Sequence, residues 1–163
     1  MMLMFVFARF YLTKIYHSKM CGFKIYTDGG YSISKGVGAY AFIILESMEE
    51  ICRNAERIER STNNRCELLA IINAVRLLPD HCSATIYTDS QYCIGVLTGQ
   101  YRRKKNTDIL DEWDIIVASK SLNIEFEWVK GHSGNKYNEL CDELCNEAAG
   151  CDLNDYNLYF CKK

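Results

Sequence analysis

A chain of 163 residues, 48% hydrophobic and 25% charged, has the size and composition of one soluble domain able to bury a core. A formal net charge of -2 rules out bulk positive charge as a means of holding a nucleic acid. With Pro79 the only proline and no low-complexity tract, no linker between two domains is visible.

The first twenty residues, "MMLMFVFARFYLTKIYHSKM", carry Arg9, Lys14 and Lys19 and no acid. Their unbroken apolar run is eight residues long, short of the roughly 18 that span a bilayer. The segment reads first as an extension adding little to the fold, then as organelle targeting, and last as a membrane anchor. "FKIYTD" (Phe23–Asp28) alternates and is rich in aromatic and β-branched residues, which predicts a strand. "YSISKG" turns the chain into a second strand, Val37–Leu45, and the acidic turn "ESMEE" leads to a third, Ile51–Arg60. After cap candidates in "STNN", Leu68, Ile71, Ile72, Val75 and Leu78 recur at helical spacing until Pro79 stops the helix.

"ATIYTD" is a fourth strand, and "SQYCIGVLTG" a short helix halted near Gly99. "TDILDEWDIIVASK" places Leu110, Trp113, Ile116 and Val117 on one helical face. "NIEFEWV" alternates Ile124, Phe126 and Trp128 against Glu125 and Glu127, a fifth strand. The glycine-rich loop "KGHSGN" enters the last helix, "YNELCDELCNEAAG". Hairpins make the first three strands antiparallel, and helical crossovers favour parallel pairing of the fourth and fifth. The result is an α/β fold with a mixed sheet and helices on its faces.

Charge is unevenly placed along this order. Residues 21–150 hold 14 basic and 19 acidic residues, a net of -5, and a carboxylate surplus suits a protein that gathers divalent cations. The one dense positive run, Arg102 to Lys105, reads as solvated surface when taken alone. The nine cysteines include no C-x-x-C pair, and Cys141, Cys145, Cys151 and Cys161 fit no usual zinc spacing. Reduced thiols in an intracellular, cytoplasmic protein are the expectation, with targeting by residues 1–20 the alternative.

The tetrapeptide Ile-Tyr-Thr-Asp occurs twice, ending at Asp28 and at Asp89. If the two strands lie side by side and parallel, both carboxylates end at one edge of the sheet. Neighbouring strands are about 4.8 Å apart, and two carboxylates so close repel unless a cation or proton relieves them. Glu67 and Asp142 lie near the starts of predicted helices. Singly, each reads as an acid complementing a helix dipole, and Asp28 and Asp89 singly read as turn or cap residues. Together the four suit a two-metal site, and hard oxygen ligands select Mg²⁺ or Mn²⁺.

Four ordered blocks, "YTDGG", "TNNRCELLA", "YTDSQY" and "VKGHSGNKYNELCDELCNEAA", make the chain resemble type 1 ribonuclease H from about Phe23 to Ala149. The resemblance implies an RNase H-like fold: a five-stranded mixed sheet of order 3-2-1-4-5 flanked by helices, occupying 21–150, with 1–20 an extension and 151–163 a tail. It implies that Asp28, Glu67, Asp89 and Asp142 are catalytic carboxylates holding two Mg²⁺ ions, with Mn²⁺ a possible substitute. The implied reaction is two-metal hydrolysis of the RNA strand of RNA–DNA hybrids, giving 5′-phosphate and 3′-hydroxyl ends. His132 matches the loop histidine that aids proton transfer or product release in that family.

The same resemblance makes Asn63 and Asn64 readers of 2′-hydroxyls in the wide minor groove of a hybrid, with helix capping as the plain alternative. Gly29 and Gly30 would let the backbone approach the RNA strand, and Arg60 and Thr62 match a pocket gripping a DNA phosphate. One departure is clear: only 16 residues separate Asp89 from Asn106, where bacterial and animal relatives carry an extra helix and a basic protrusion. The expected protein is a monomer with weak, salt-sensitive hybrid binding, helped by a replication or polymerase partner and having no membrane partner. A catalytically inert nucleic-acid- or polymerase-binding module is the alternative, and a junction resolvase or transposase a third reading.

Overall fold

The computed structural model describes residues 22–150 and the backbone of a two-residue strand at Phe160–Cys161. The readings given above to residues 1–20, and to most of 151–163, lie outside the described residues. The chain forms β1 (Gly22–Ser32), β2 (Val37–Glu46), β3 (Glu49–Glu59), α1 (Asn63–Arg76), β4 (Ser83–Thr88), α2 (Gln91–Leu97), α3 (Thr107–Lys120), β5 (Asn123–Trp128), α4 (Lys136–Gly150) and β6 (Phe160–Cys161).

The sheet order is β5-β4-β1-β2-β3-β6. Within it stands the predicted five-strand order 3-2-1-4-5. The addition is β6, which pairs antiparallel with the edge of β3 and comes from a segment read as a tail. Two residues carry too little periodicity to announce a strand in sequence. β1–β2 and β2–β3 are antiparallel hairpins, while β1–β4 and β4–β5 are parallel.

Strand alternation divides the core in two. Phe23, Ile25, Tyr40, Phe42 and Ile44 face α1, α2 and α3, meeting Leu68, Ile71, Ile72, Val75, Leu110 and Trp113. Tyr26, Ala39, Ala41, Ile43 and Leu45 face the other way, onto Cys141, Leu144, Cys145 and Ala148 of α4. β2 is therefore buried on both faces. Each aliphatic side chain so enclosed contributes about 1.5–3 kcal/mol.

The α1 boundary follows from capping: the Thr62 hydroxyl accepts from the Arg65 N–H at 3.3 Å, and the helix ends at Leu77, two residues before Pro79. α3 occupies Thr107–Lys120, as its apolar face predicted. Nine residues join α2 to α3 without a helix, so the basic protrusion is absent. Arg103 does not behave as solvated surface. It forms a forked pair with Asp114 (2.5 and 3.0 Å) and donates to the Val96 carbonyl, pinning this segment across α2 and α3.

Cys66, Cys93, Cys141 and Cys145 are buried free thiols, and Cys82 is buried too. Cys52 corrects the expectation of reduced thiols, since it is disulfide-bonded. It lies where β6 joins the sheet, opposite Cys161 in the register. Among the described residues no helix is long and apolar enough to cross a membrane.

Candidate active site

The repeated tetrapeptide lies in register with itself. Ile25 pairs with Ile86 and Tyr26 with Tyr87 in the parallel β1–β4 ladder, and the two tyrosine rings stack at 4.6 Å. Asp28 and Asp89, two residues further along each chain segment, therefore stand on neighbouring strands at the same level, Asp28 within β1 and Asp89 just past the end of β4. β4 stops at Thr88, whereas β1 runs on to Ser32, four residues past the predicted end. Asp28 thus sits within a strand, on a rigid ladder opposite Ala41 of β2. It is neither a turn nor a cap.

Glu67 and Asp142 come from opposite faces of the sheet. Both are further inside their helices than the sequence suggested: Glu67 is the fifth residue of α1 and Asp142 the seventh of α4. No acid occupies the first turn of α1, and Glu139 is the one in the first turn of α4. Helix-dipole stabilisation fades beyond the first turn, so it explains neither carboxylate.

Gly29 is what brings α1 this close. A Cβ there would stand 2.4 Å from the Glu67 nitrogen and 2.5 Å from the Cys66 carbonyl carbon, nearer than real carbon contacts. The glycine is buried, and the side where a Cβ would stand faces the helix. Its role is to let α1 lie against β1. Gly30 is half-buried and more open, with the Asn63 amide oxygen 4.0 Å from its virtual Cβ.

The electrostatics reflect burial first and neighbouring acids second. Burial raises the Asp28 carboxyl to about 6, and the nearby Asp89 and Asp142 charges push the same way. Burial raises Glu67 to about 7, reinforced by Asp89 and Asp28 and opposed by the Ser90 hydroxyl. Asp28 thus feels Asp89 and Asp142, and Glu67 feels both strand aspartates; carboxylate oxygens of this kind are donors that suit a hard divalent cation. Among the described residues no three His, Cys, Asp or Glu side chains gather within reach of one metal ion. The Cys141 and Cys145 thiols donate to the carbonyls of Tyr26 and Asp28 at 3.4 Å. The oxygen donors fit a divalent metal; the cysteines do not.

His132 stands on the loop between β5 and α4 with φ 50°. Its side chain is 80% exposed, and Nδ1 is 3.9 Å from Asp142 Oδ2. It is within reach of the carboxylates without being locked to them.

The substrate-side candidates divide. Thr62, Asn63 and Asn64 line a cavity of about 820 Å³, together with Tyr92, Tyr101, Arg102, Lys104 and Lys105. Thr62 also caps α1. Asn63 accepts from the Tyr31 N–H (3.2 Å) and donates to Glu67 Oε1 (3.0 Å). Arg60 is exposed with φ 51°, its N–H directed to the Gly36 carbonyl, and it is not among the residues lining that cavity.

Three residues at the site escaped sequence reasoning. Ser90 donates to Glu67 Oε2 at 2.5 Å. The Trp128 indole N–H donates to the Asp89 carbonyl at 3.1 Å. Gly131 leaves room for the Asp89 carboxylate, which would lie 2.7 Å from a Cβ there. Ser90 had a legible signal as the polar residue between a strand-end acid and a helix. Trp128 had none, because alternation assigned it to the core, yet it is 51% exposed.

Comparison with known proteins adds an independent line. The RNase H family model matches residues 21–150. A ribonuclease H of Treponema denticola is 36% identical over 154 residues, covering 77% of this chain and 95% of that protein. One from Caldicellulosiruptor saccharolyticus is 35% identical over 133 residues, covering 74% and 90%. Another, from Campylobacter jejuni, is 36% identical over 135 residues, covering 77% and 90%. Among solved structures, the N-terminal RNase H domain of a Mycobacterium tuberculosis protein, fused to maltose-binding protein, superposes with a TM-score of 0.67. It is 22% identical and covers 79% of this chain and 94% of that one, a likeness of fold.

Proposed function

The chain belongs to the RNase H family, and we propose that it hydrolyses the RNA strand of RNA–DNA hybrids at the cluster Asp28, Glu67, Asp89 and Asp142. The observation that carries the reading is the in-register repeat. It sets Asp28 and Asp89 on neighbouring strands at one edge, while α1 and α4, packed on opposite faces of the sheet, carry Glu67 and Asp142.

The family is dependent on divalent metals, and the finer reading is two Mg²⁺ ions held by these four side chains. When bound, such ions supply a nucleophilic hydroxide at neutral pH and charge stabilisation for the leaving 3′ oxygen. The chain's own part is to hold the carboxylates on rigid elements. β1 and β4 fix the spacing of Asp28 and Asp89, and the Gly29 contact sets the approach of Glu67. His132, exposed beside Asp142, is suited to take a proton at a ring nitrogen and pass it to solvent. The products are a 5′-phosphate and a 3′-hydroxyl.

Recognition of the hybrid rests on Asn63 and Asn64, short amides near Glu67 that suit 2′-hydroxyls in a shallow groove. The adjoining cavity is lined by Arg102, Lys104 and Lys105 and by no acid, which favours a phosphate backbone. Incubating the protein with labelled hybrid, duplex DNA and duplex RNA tests the proposal. Mg²⁺-dependent cutting of the hybrid alone, lost in Asp28→Asn, is expected; full activity of that variant, or cutting of duplex DNA alone, would overturn it.

A further inference from the structure

The Glu67 carboxylate is held at both oxygens by neutral donors from different parts of the fold. Oε2 accepts the Ser90 hydroxyl proton at 2.5 Å, and Oε1 accepts from Asn63 Nδ2 at 3.0 Å. The two donors differ in their surroundings. Asn63 is exposed, so water competes for its amide, whereas Ser90 is 6% exposed. Ser90 is also constrained on every side. Its N–H donates to Thr88 Oγ1 at 3.2 Å, and its hydroxyl oxygen accepts from the Cys93 N–H at 3.3 Å, capping α2. A hydroxyl has a single proton; with the acceptor side taken by the helix, that proton is committed to Glu67.

Glu67 itself reaches the cluster on a side chain with three rotatable bonds. The two aspartates stand on or next to β-ladders. Glu67 is therefore the member whose position depends most on side-chain hydrogen bonds. Oε2 also receives the Cys93 thiol at 3.9 Å, while Oε1, with one donor, keeps a second lone pair for a cation. We infer that Ser90 is a positioning residue for Glu67: from the junction of β4 and α2 it fixes the orientation of that carboxylate, so that metal affinity depends on a hydroxyl that touches neither metal nor RNA. The inference rests on Glu67 being a metal ligand. Partners of this kind are typically worth 10–100-fold in metal affinity or activity.

The test uses the full chain and three variants. Ser90→Ala removes both the hydroxyl donor and the helix cap. Ser90→Gly removes the donor but leaves a residue nearly as good at an N-cap, and Ser90→Thr keeps a hydroxyl. Mn²⁺ binding to the free protein, measured by electron paramagnetic resonance, is read beside melting temperature, kcat and KM for a hybrid. Expected are about tenfold or weaker Mn²⁺ binding and a lower kcat with little change in KM, shared by Ser90→Ala and Ser90→Gly. The melting temperature should fall mainly in Ser90→Ala, and Ser90→Thr should recover part of the affinity. Wild-type Mn²⁺ affinity and kcat in Ser90→Gly would overturn the inference while leaving the metal reading intact. A wild-type protein that binds no Mn²⁺ would remove the metal reading and this inference with it.

Discussion

Asp28 and Glu67 are where the chemistry leaves a mark that pH can read. Their carboxyls rise to about 6 and about 7 from ordinary values of 3.8 and 4.5, chiefly through burial. A carboxyl raised in the folded state binds its proton more tightly there than in the unfolded chain. Its contribution to stability is complete below about pH 4 and is lost as pH rises through 6 and 7. Metal-free protein should therefore lose stability across that window, and a divalent cation should restore it where both groups are ionised. The melting gain from Mg²⁺ over EDTA should be larger at pH 8 than at pH 5. An equal gain at both pH values would mean that these carboxyls do not hold the ion.

At the scale of elements, the approach of α1 to β1 decides where Glu67 stands. Ala at position 29 would force a methyl carbon into the α1 backbone. Such overpacking costs about 1–3 kcal/mol, and the shift would carry Glu67 with it. Gly29→Ala should lower the melting temperature and reduce kcat at least tenfold, readable by thermal melting beside hybrid cleavage. A variant that melts lower yet cleaves normally would separate the packing from the chemistry.

Gly29 also marks a limit of sequence reading. The strand, the helix and the pair Asp28 and Glu67 were legible from alternation, helical spacing and ordered motifs. Which way the glycine faced was not, since the β1–α1 contact joins residues nearly forty positions apart. The same limit hid Ser90, whose partner Glu67 lies 23 residues away. It hid Trp128 as well, because alternation tells one sheet face from the other and not whether an edge strand's end is covered. The helix positions of Glu67 and Asp142 were misjudged because each helix starts several residues upstream, where a local side-chain bond (Thr62 to the Arg65 N–H in α1, Asn135 to the Asn138 N–H at α4) meets its first turn.

Across the whole molecule, residues 21–150 carry a net charge of -5, yet three cations line one cavity beside the site. With nine residues joining α2 to α3, hybrid binding depends on few phosphate contacts. If about three phosphates are neutralised, log K should fall with log salt at a slope of about -2.7, losing about 40-fold between 50 and 200 mM. Fluorescence anisotropy with a labelled hybrid measures this in Ca²⁺ or with Asp28→Asn, where cleavage is suppressed. A slope near zero would show that the basic segment does not meet the substrate.

The most direct test of the account is anomalous diffraction from crystals of this protein soaked in Mn²⁺. The account predicts density at the edge of the sheet, with metal–oxygen distances of about 2.1 Å to carboxylates drawn from Asp28, Glu67, Asp89 and Asp142. Mn²⁺ density confined to other parts of the surface, with the four carboxylates bare at millimolar metal, would contradict it.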